Sequence, residues 1–222
     1  KGPSTTPMDE RYRPDEIARG DEVTSLKDYQ SIIGTLMYAG RCTRPDIYQA
    51  VCLLARYASG PSESHWKQLY RLIRYVDETR NAFLRIAPSD VRIIEAYSDA
   101  NHAGCPQSGK STSGFVIKIG GVPVSWTSKK QPRVAKSTAV AELMAVTITV
   151  DALEYIRGLV CELLGTTELP KSVLHCDNLP AVRNLDAGRL GNSQRAAWVE
   201  AQHVFDEMEN GMFHVKHVET KN

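Results

Sequence analysis

The sequence predicts an α/β protein: an N-terminal helical segment followed by a mixed sheet flanked by helices. Three observations predict it. Apolar residues recur at helical spacing from residue 25 to 79. The spacing then switches near residue 82 to β-branched, alternating runs. Beyond that switch the elements read β-β-β-α-β-α-α-β, an order that sets a meander of strands beside crossover connections.

Residues 1–24 are rich in Pro, Asp, Glu and Arg and show no apolar period, which predicts an extended or weakly ordered arm. Ser25 can cap a helix carrying Tyr29, Ile32, Ile33, Leu36 and Met37, with Gly40 as its end. Pro45 suits the first turn of a second helix, with Ile47, Ala50, Val51, Leu54 and Tyr57 on its apolar face. Gly60-Pro61 breaks that helix, and Ser62-x-x-His65 opens a third, with Trp66, Leu69, Tyr70, Leu72, Ile73 and Val76. These form a helical segment over residues 25–82, and a second domain spans 83–222.

In that second domain, residues 91–100, 111–121 and 122–130 read as strands. Gly120-Gly121 between the last two is a two-residue hairpin signal. A long helix follows over 137–164, with Leu143, Val146, Val150, Leu153, Ile156 and Val160 on one side. Residues 172–177 form a short buried strand that ends on an acid. A helix starting at Leu179 with Gly188 as its C-terminal glycine, a helix over 193–209 and a strand over 212–219 complete the order.

Composition narrows the classes. The 222 residues carry 27 Lys+Arg and 26 Asp+Glu, a formal net charge of +1. With 42% apolar and 24% charged residues the chain is that of an ordinary globular protein. No apolar run reaches the length of a membrane span, and the polar N-terminus has no signal-peptide core. The first residue is not Met, so a fragment or a processed product is expected. Five cysteines without C-x-x-C spacing argue against a disulfide framework or a zinc knuckle. His203, His214 and His217 could be gathered on paper, but no metal motif surrounds them.

Three acids sit where chemistry is expected. Asp99 ends the first strand, Glu142 lies near the start of the long helix, and Asp177 ends the fourth strand. Strand ends beside a topological switch are where α/β sheets gather functional groups. If the first and fourth strands are neighbours, all three carboxylates meet, and they stay ionised together only around a cation. Oxygen ligands select magnesium or manganese. Each acid also has a plain structural reading: strand-end aspartates form turns, Asp177-Asn178 can cap a helix, and a helix N-terminus favours glutamate.

The chain resembles the ribonuclease H domain of copia-type LTR retrotransposon polyproteins, preceded by the segment that follows the reverse transcriptase core. The resemblance runs from about residue 25 to the end. It is carried by YQSIIGTLMYAGRCTRPDIYQAV (29–51), YSDANHAG (97–104), KSTSGFVIKIGGVPVSWTSKKQ (110–131), AKSTAVAELMAV (135–146), CDNLPAV (176–182) and HVKHVETKN (214–222).

The resemblance implies a ribonuclease H-like fold: a mixed five-stranded sheet whose first three strands are antiparallel. It implies that Asp99, Glu142 and Asp177 are the catalytic, metal-holding acids. The implied cofactor is Mg2+ or Mn2+, with two ions if a fourth acid is supplied beyond residue 222. That acid follows the ETK-type loop in the family; the chain ends at Asn222, so the domain is expected to lack its extreme C-terminal end. Two further departures are Gln194-Arg195-Ala196-Ala197-Trp198, where relatives carry a basic His-containing segment, and Val140, where relatives often have Glu.

The implied activity is magnesium-dependent endonucleolytic cleavage of the RNA strand of RNA–DNA hybrids during reverse transcription. The alternative is a non-catalytic, truncated or domesticated module that binds nucleic acid or a polymerase partner. An integrase-like nuclease is disfavoured, because the A-E-L-M-A helix directly follows three strands. Implied partners are the hybrid and the reverse transcriptase domain of the same polyprotein, with no membrane and no small-molecule cofactor. The implied location is a cytoplasmic virus-like particle, or the nucleus.

Candidate substrate contacts are Ser111, Thr112 and Ser113 at the start of the second strand, Lys129, Lys130, Arg133 and Lys136 after the third, and Asn178. All can equally be solvated turn residues. Trp126 and Trp198 could stack on bases, though packing suits them better. Between Asp99 and Glu142 lie 42 residues with six Lys/Arg and no acid, which leaves about −5 on the other 180. The near-neutral total hides a basic hairpin region between two of the acids.

Overall fold

The computed structural model describes residues 4–9, 11–14, 25–87, 90–189 and 198–219. The chain divides into two compact units, Lys1–Arg85 and Ile86–Asn222.

The first unit holds three helices: α1 (Leu26–Cys42), α2 (Pro45–Ala55) and α3 (Glu63–Glu78). Local chemistry sets their starts. The Ser25 hydroxyl accepts from the Asp28 N–H at 3.3 Å, and Pro45 occupies the first turn of α2. At α3 the Ser62 hydroxyl accepts from the His65 N–H while His65 Nδ1 accepts from the Ser62 N–H at 2.8 Å, a reciprocal capping box. Tyr29, Ile47, Leu54, Leu69 and Leu72 fill the core. The Tyr29 hydroxyl donates to the Leu54 carbonyl at 3.0 Å, so its burial leaves no lost hydrogen bond.

Two expectations change here. Gly40 does not end α1; it lies inside the helix, where α2 passes so close that a Cβ would meet Tyr48 at 3.3 Å. The described part of the N-terminal arm is not an extended strand but bends at residues 6–8 and turns where the Tyr12 N–H donates to the Asp9 carbonyl at 3.0 Å, and it is not loose. The Ser4 N–H donates to Glu78 at 2.6 Å, and Arg71 donates to the Thr6 hydroxyl at 2.8 Å, which ties the segment to α3.

The second unit is a five-stranded sheet in the order β3-β2-β1-β4-β5. The strands are β1 (Ile94–Asn101), β2 (Thr112–Ile119), β3 (Val122–Lys130), β4 (Ser172–Cys176) and β5 (Phe213–His217); the helices are α4 (Thr138–Leu164), α5 (Leu179–Asp186) and α6 (Trp198–Glu209). β1, β2 and β3 are antiparallel, and β4 runs parallel to both β1 and β5. Order and direction are those of the ribonuclease H-like fold. No described helix is long and apolar enough to cross a membrane.

β1 starts at Ile94 rather than at 91, because Asp90 captures both the Arg92 N–H and its guanidinium in a local turn. Gly120 and Gly121, at φ 54° and 83°, make the tight β2–β3 hairpin that needs left-handed residues. The register slips beside Lys118, opposite Pro123, which has no N–H for the ladder and sits on an edge strand.

α4 differs most from its sequence pattern. A single apolar side was expected, yet every residue from Val140 to Val146 is buried. The helix packs on β1 and β2 and is met by α5 and α6. Its first half is therefore enclosed, and that half carries Glu142.

Candidate active site

Asp99 lies on β1 one residue beyond Ser98, and Asp177 follows Cys176 at the end of β4. Ser98 and Cys176 are register partners in the parallel β1–β4 pair, so the residues that follow them, Asp99 and Asp177, lie side by side. Asp99 does not end its strand as expected: β1 runs on to Asn101, held by its pairing with Thr112 of β2, whereas Asp177 directly follows β4. Two bonds from the β5 side pin the end of β4. The Val218 N–H donates to the Cys176 carbonyl at 3.1 Å. His217 Nε2 lies 3.0 Å from the Asp177 carbonyl, which can only accept, so that nitrogen carries the proton.

α4 brings Glu142 to the same place. The Ser137 hydroxyl accepts from the Val140 N–H at 3.3 Å and fixes where the helix begins. Glu142 is only 4% exposed, and its Oε2 has no hydrogen-bond partner. Burial raises its pKa to about 8, with the charges of Asp99 and Asp177 adding to the rise and the Ala100 N–H opposing it. Asp99 keeps access to solvent as a residue, yet protein around its carboxyl removes enough water to raise its pKa, and Asp177 raises it further. The structure thus brings the three sequence-predicted acids together.

Cys176 is a site neighbour that sequence reasoning does not find. It is fully buried, and its sulfur lies with carboxylate oxygens of Glu142 and Asp177 within 4.8 Å of one another. Burial pushes its thiol up to about 12, and all three acids contribute. The alternating burial of β4 marks Cys176 as inward-facing, but nothing local to it signals α4 across the space.

A cation fits this donor set. The oxygens are hard, the space is partly dry, and one buried carboxylate oxygen has no partner. Without a positive charge, burial and the two neighbouring aspartates favour the protonated form of Glu142.

The expected substrate contacts are divided. Thr112, Lys129 and Lys130 lie on the paired ends of β2 and β3, the lysines exposed, and Arg133 and Lys136 are exposed in the following segment. Lys130 Nζ lies 3.7 Å from the Cys105 sulfur. Ser111 and Ser113 point inward instead, at 0% and 3% exposure. Ser111 accepts from the Ala103 N–H and Ser113 from the Gln131 side chain, so these hydroxyls hold the hairpin to its neighbours and do not face solvent. Asn178 caps α5, its carboxamide oxygen accepting from the Ala181 N–H at 2.9 Å. Trp126 is half-buried opposite Val116. Gln194 to Ala197, the Trp198 side chain and the loop from Thr220 lie outside the described residues.

The three histidines do not converge. His203 meets Asp151 at 3.3 Å, His214 is exposed, and His217 is bonded at β4. Among the described residues the cluster suited to a metal ion is that of Glu142, Cys176 and Asp177.

No family model matches the chain. It is 31% identical over 218 residues to the retrovirus-related Pol polyprotein from transposon RE1 of Arabidopsis thaliana, covering 98% of this chain and 15% of that one. It is 42% identical over 118 residues to secreted RxLR effector protein 161 of Plasmopara viticola, covering 53% of this chain and 83% of the effector. Among solved structures it resembles LC11-RNase H1, isolated from compost, at 18% identity and a TM-score of 0.42, covering 58% of this chain and 85% of that one. The chain spans 15% and 14% of the length of the two Arabidopsis transposon polyproteins it matches.

Proposed function

This chain belongs to the retrovirus-related Pol polyproteins of copia-type transposons, and from that premise we propose that it is their ribonuclease H: a magnesium- or manganese-dependent endonuclease that cuts the RNA strand of RNA–DNA hybrids. The observation that carries the reading is Glu142. A buried glutamate with an unpartnered oxygen, set against Asp99 and Asp177, is a poor structural device and a good cation ligand.

A divalent ion bound there would supply water activation and charge neutralisation for phosphodiester hydrolysis. The chain's own groups do the rest. Asp99 from within β1 and Asp177 at the end of β4 would hold such an ion, with Glu142 offered from the enclosed half of α4. The His217 and Val218 contacts fix the backbone that aims Asp177. Lys129, Lys130, Arg133 and Lys136 lie in the acid-free basic stretch, where they meet phosphates without reading sequence. Ser111 and Ser113 support that surface from inside. Hybrid is distinguished from other duplexes by groove shape and 2′-hydroxyls. In the polyprotein the helical unit links this nuclease to the reverse transcriptase.

The test is Asp99→Asn in the polyprotein region that carries this chain. We expect hybrid cleavage in magnesium to be abolished while circular dichroism is unchanged. Full cleavage in that variant refutes the assignment. Cleavage of double-stranded DNA in preference to hybrid would place the activity in another nuclease class.

A further inference from the structure

Cys176 has no part in the hard-ion chemistry proposed above, yet it faces the same space. Its side chain is fully buried on the side of the sheet where its register partner Ser98 is also buried. Its sulfur and carboxylate oxygens of Glu142 and Asp177 lie within 4.8 Å of one another. Glu142 Oε2 is an acceptor with nothing to accept, enclosed at 4% exposure. Ligand atoms of a tetrahedral zinc-type site, with metal–oxygen bonds of about 2.1 Å and metal–sulfur bonds of about 2.3 Å, stand roughly 3.4–3.8 Å apart. Side-chain shifts on the order of 1 Å bring the three atoms to that spacing.

Magnesium takes oxygen ligands and leaves a thiol aside, whereas zinc and cadmium accept sulfur and oxygen together. We propose that Cys176, Glu142 and Asp177 form a mixed thiolate–carboxylate site for a thiophilic divalent cation, overlapping the hard-ion site through the shared carboxylates. As the sulfur–metal bond forms, the thiol proton leaves to solvent. An ion held in this way displaces magnesium, so zinc or cadmium acts as an inhibitor at the centre. The inhibitory consequence and the competition with magnesium rest on the nuclease reading; the cadmium binding does not.

The probe is cadmium, titrated into the full chain with and without magnesium and followed by thiolate-to-cadmium charge-transfer absorption. We expect a saturable band that magnesium suppresses. In Cys176→Ala the band is lost and cadmium affinity falls roughly tenfold or more, since even outer partners of a metal ligand change affinity 10–100-fold. Cys176 is a core residue, so circular dichroism accompanies the variant. Glu142→Gln, with the thiol in place, is the second variant and must also weaken the band. A band that persists in both variants assigns the sulfur to another of the five free cysteines, such as exposed Cys42, and overturns the proposal. Hybrid cleavage in magnesium alone, measured in parallel, reports separately on the nuclease reading.

Discussion

Each unit buries a titratable side chain close to a helix N-terminus, and the two are treated in opposite ways. His65, third in α3, is completely buried; Glu142, fifth in α4, is 4% exposed. His65 Nδ1 accepts from the Ser62 N–H, and the ring stacks on Tyr57 with centroids 4.0 Å apart. Those contacts hold the ring in one orientation. Glu142 has the Ala100 N–H in its favour, an unpartnered Oε2, and two further carboxylates close by. Burial with partners builds a fold. Burial against like charge, on the function proposed above, stores a demand for a cation.

The largest test of the contrast is the pH dependence of stability without divalent metal. Glu142 titrates near 8 in the folded chain and near its ordinary 4.5 when unfolded. Below 4.5 both forms are protonated and stability is full; as pH rises towards 8 the unfolded state releases the proton first, so stability falls, then levels off. At up to about 1.4 kcal/mol per pH unit the loss is on the order of 3–5 kcal/mol. Denaturant melts from pH 4 to 9 should show that slope in the native sequence and lose most of it in Glu142→Gln. Millimolar magnesium should also flatten it, because a bound cation favours the ionised acid. A slope that Glu142→Gln leaves unchanged breaks the contrast.

His65→Ala should behave in the opposite sense. It removes a cap contact, an aromatic stack and buried area, and should cost about 2–3 kcal/mol in a denaturant melt. Metal binding should be untouched. A variant as stable as its parent would show that the capping box contributes nothing. The smallest effect concerns the basic surface. Neutralising Lys129 and Lys130 to Gln should weaken hybrid binding similarly for all sequences. The salt slope of log affinity should fall by about one unit for each phosphate no longer neutralised. Fluorescence anisotropy across a salt series reads both, and an unchanged slope places the hybrid elsewhere.

How far the sequence is legible follows the range of the interactions. Ser25, Pro45, Ser62, Ser137 and the Gly120-Gly121 hairpin are local signals, and the elements begin and turn where those residues place them. Gly40 misleads because a glycine at close helix–helix approach looks, in sequence, like a glycine that ends a helix. Asp177 and Glu142 are visible at a strand end and near a helix start, and the strand order sets Asp99, inside β1, beside Asp177. Ser111 and Ser113 are not legible as inward-facing, because alternation does not say which face is covered until α4 and Gln131 close over one. Cys176 is hidden for the same reason: its importance depends on Glu142, which belongs to a different element.

On the function proposed above, Asp99, Glu142 and Asp177 of the second unit form a divalent-cation site. Calorimetric titration of magnesium or manganese into the full chain near neutral pH tests it most directly. Saturable binding in the millimolar range or tighter is expected, with protons released as Glu142 ionises, and its loss in both Asp99→Asn and Glu142→Gln. Binding that persists in both variants, or no binding at millimolar metal in the native sequence, would contradict it.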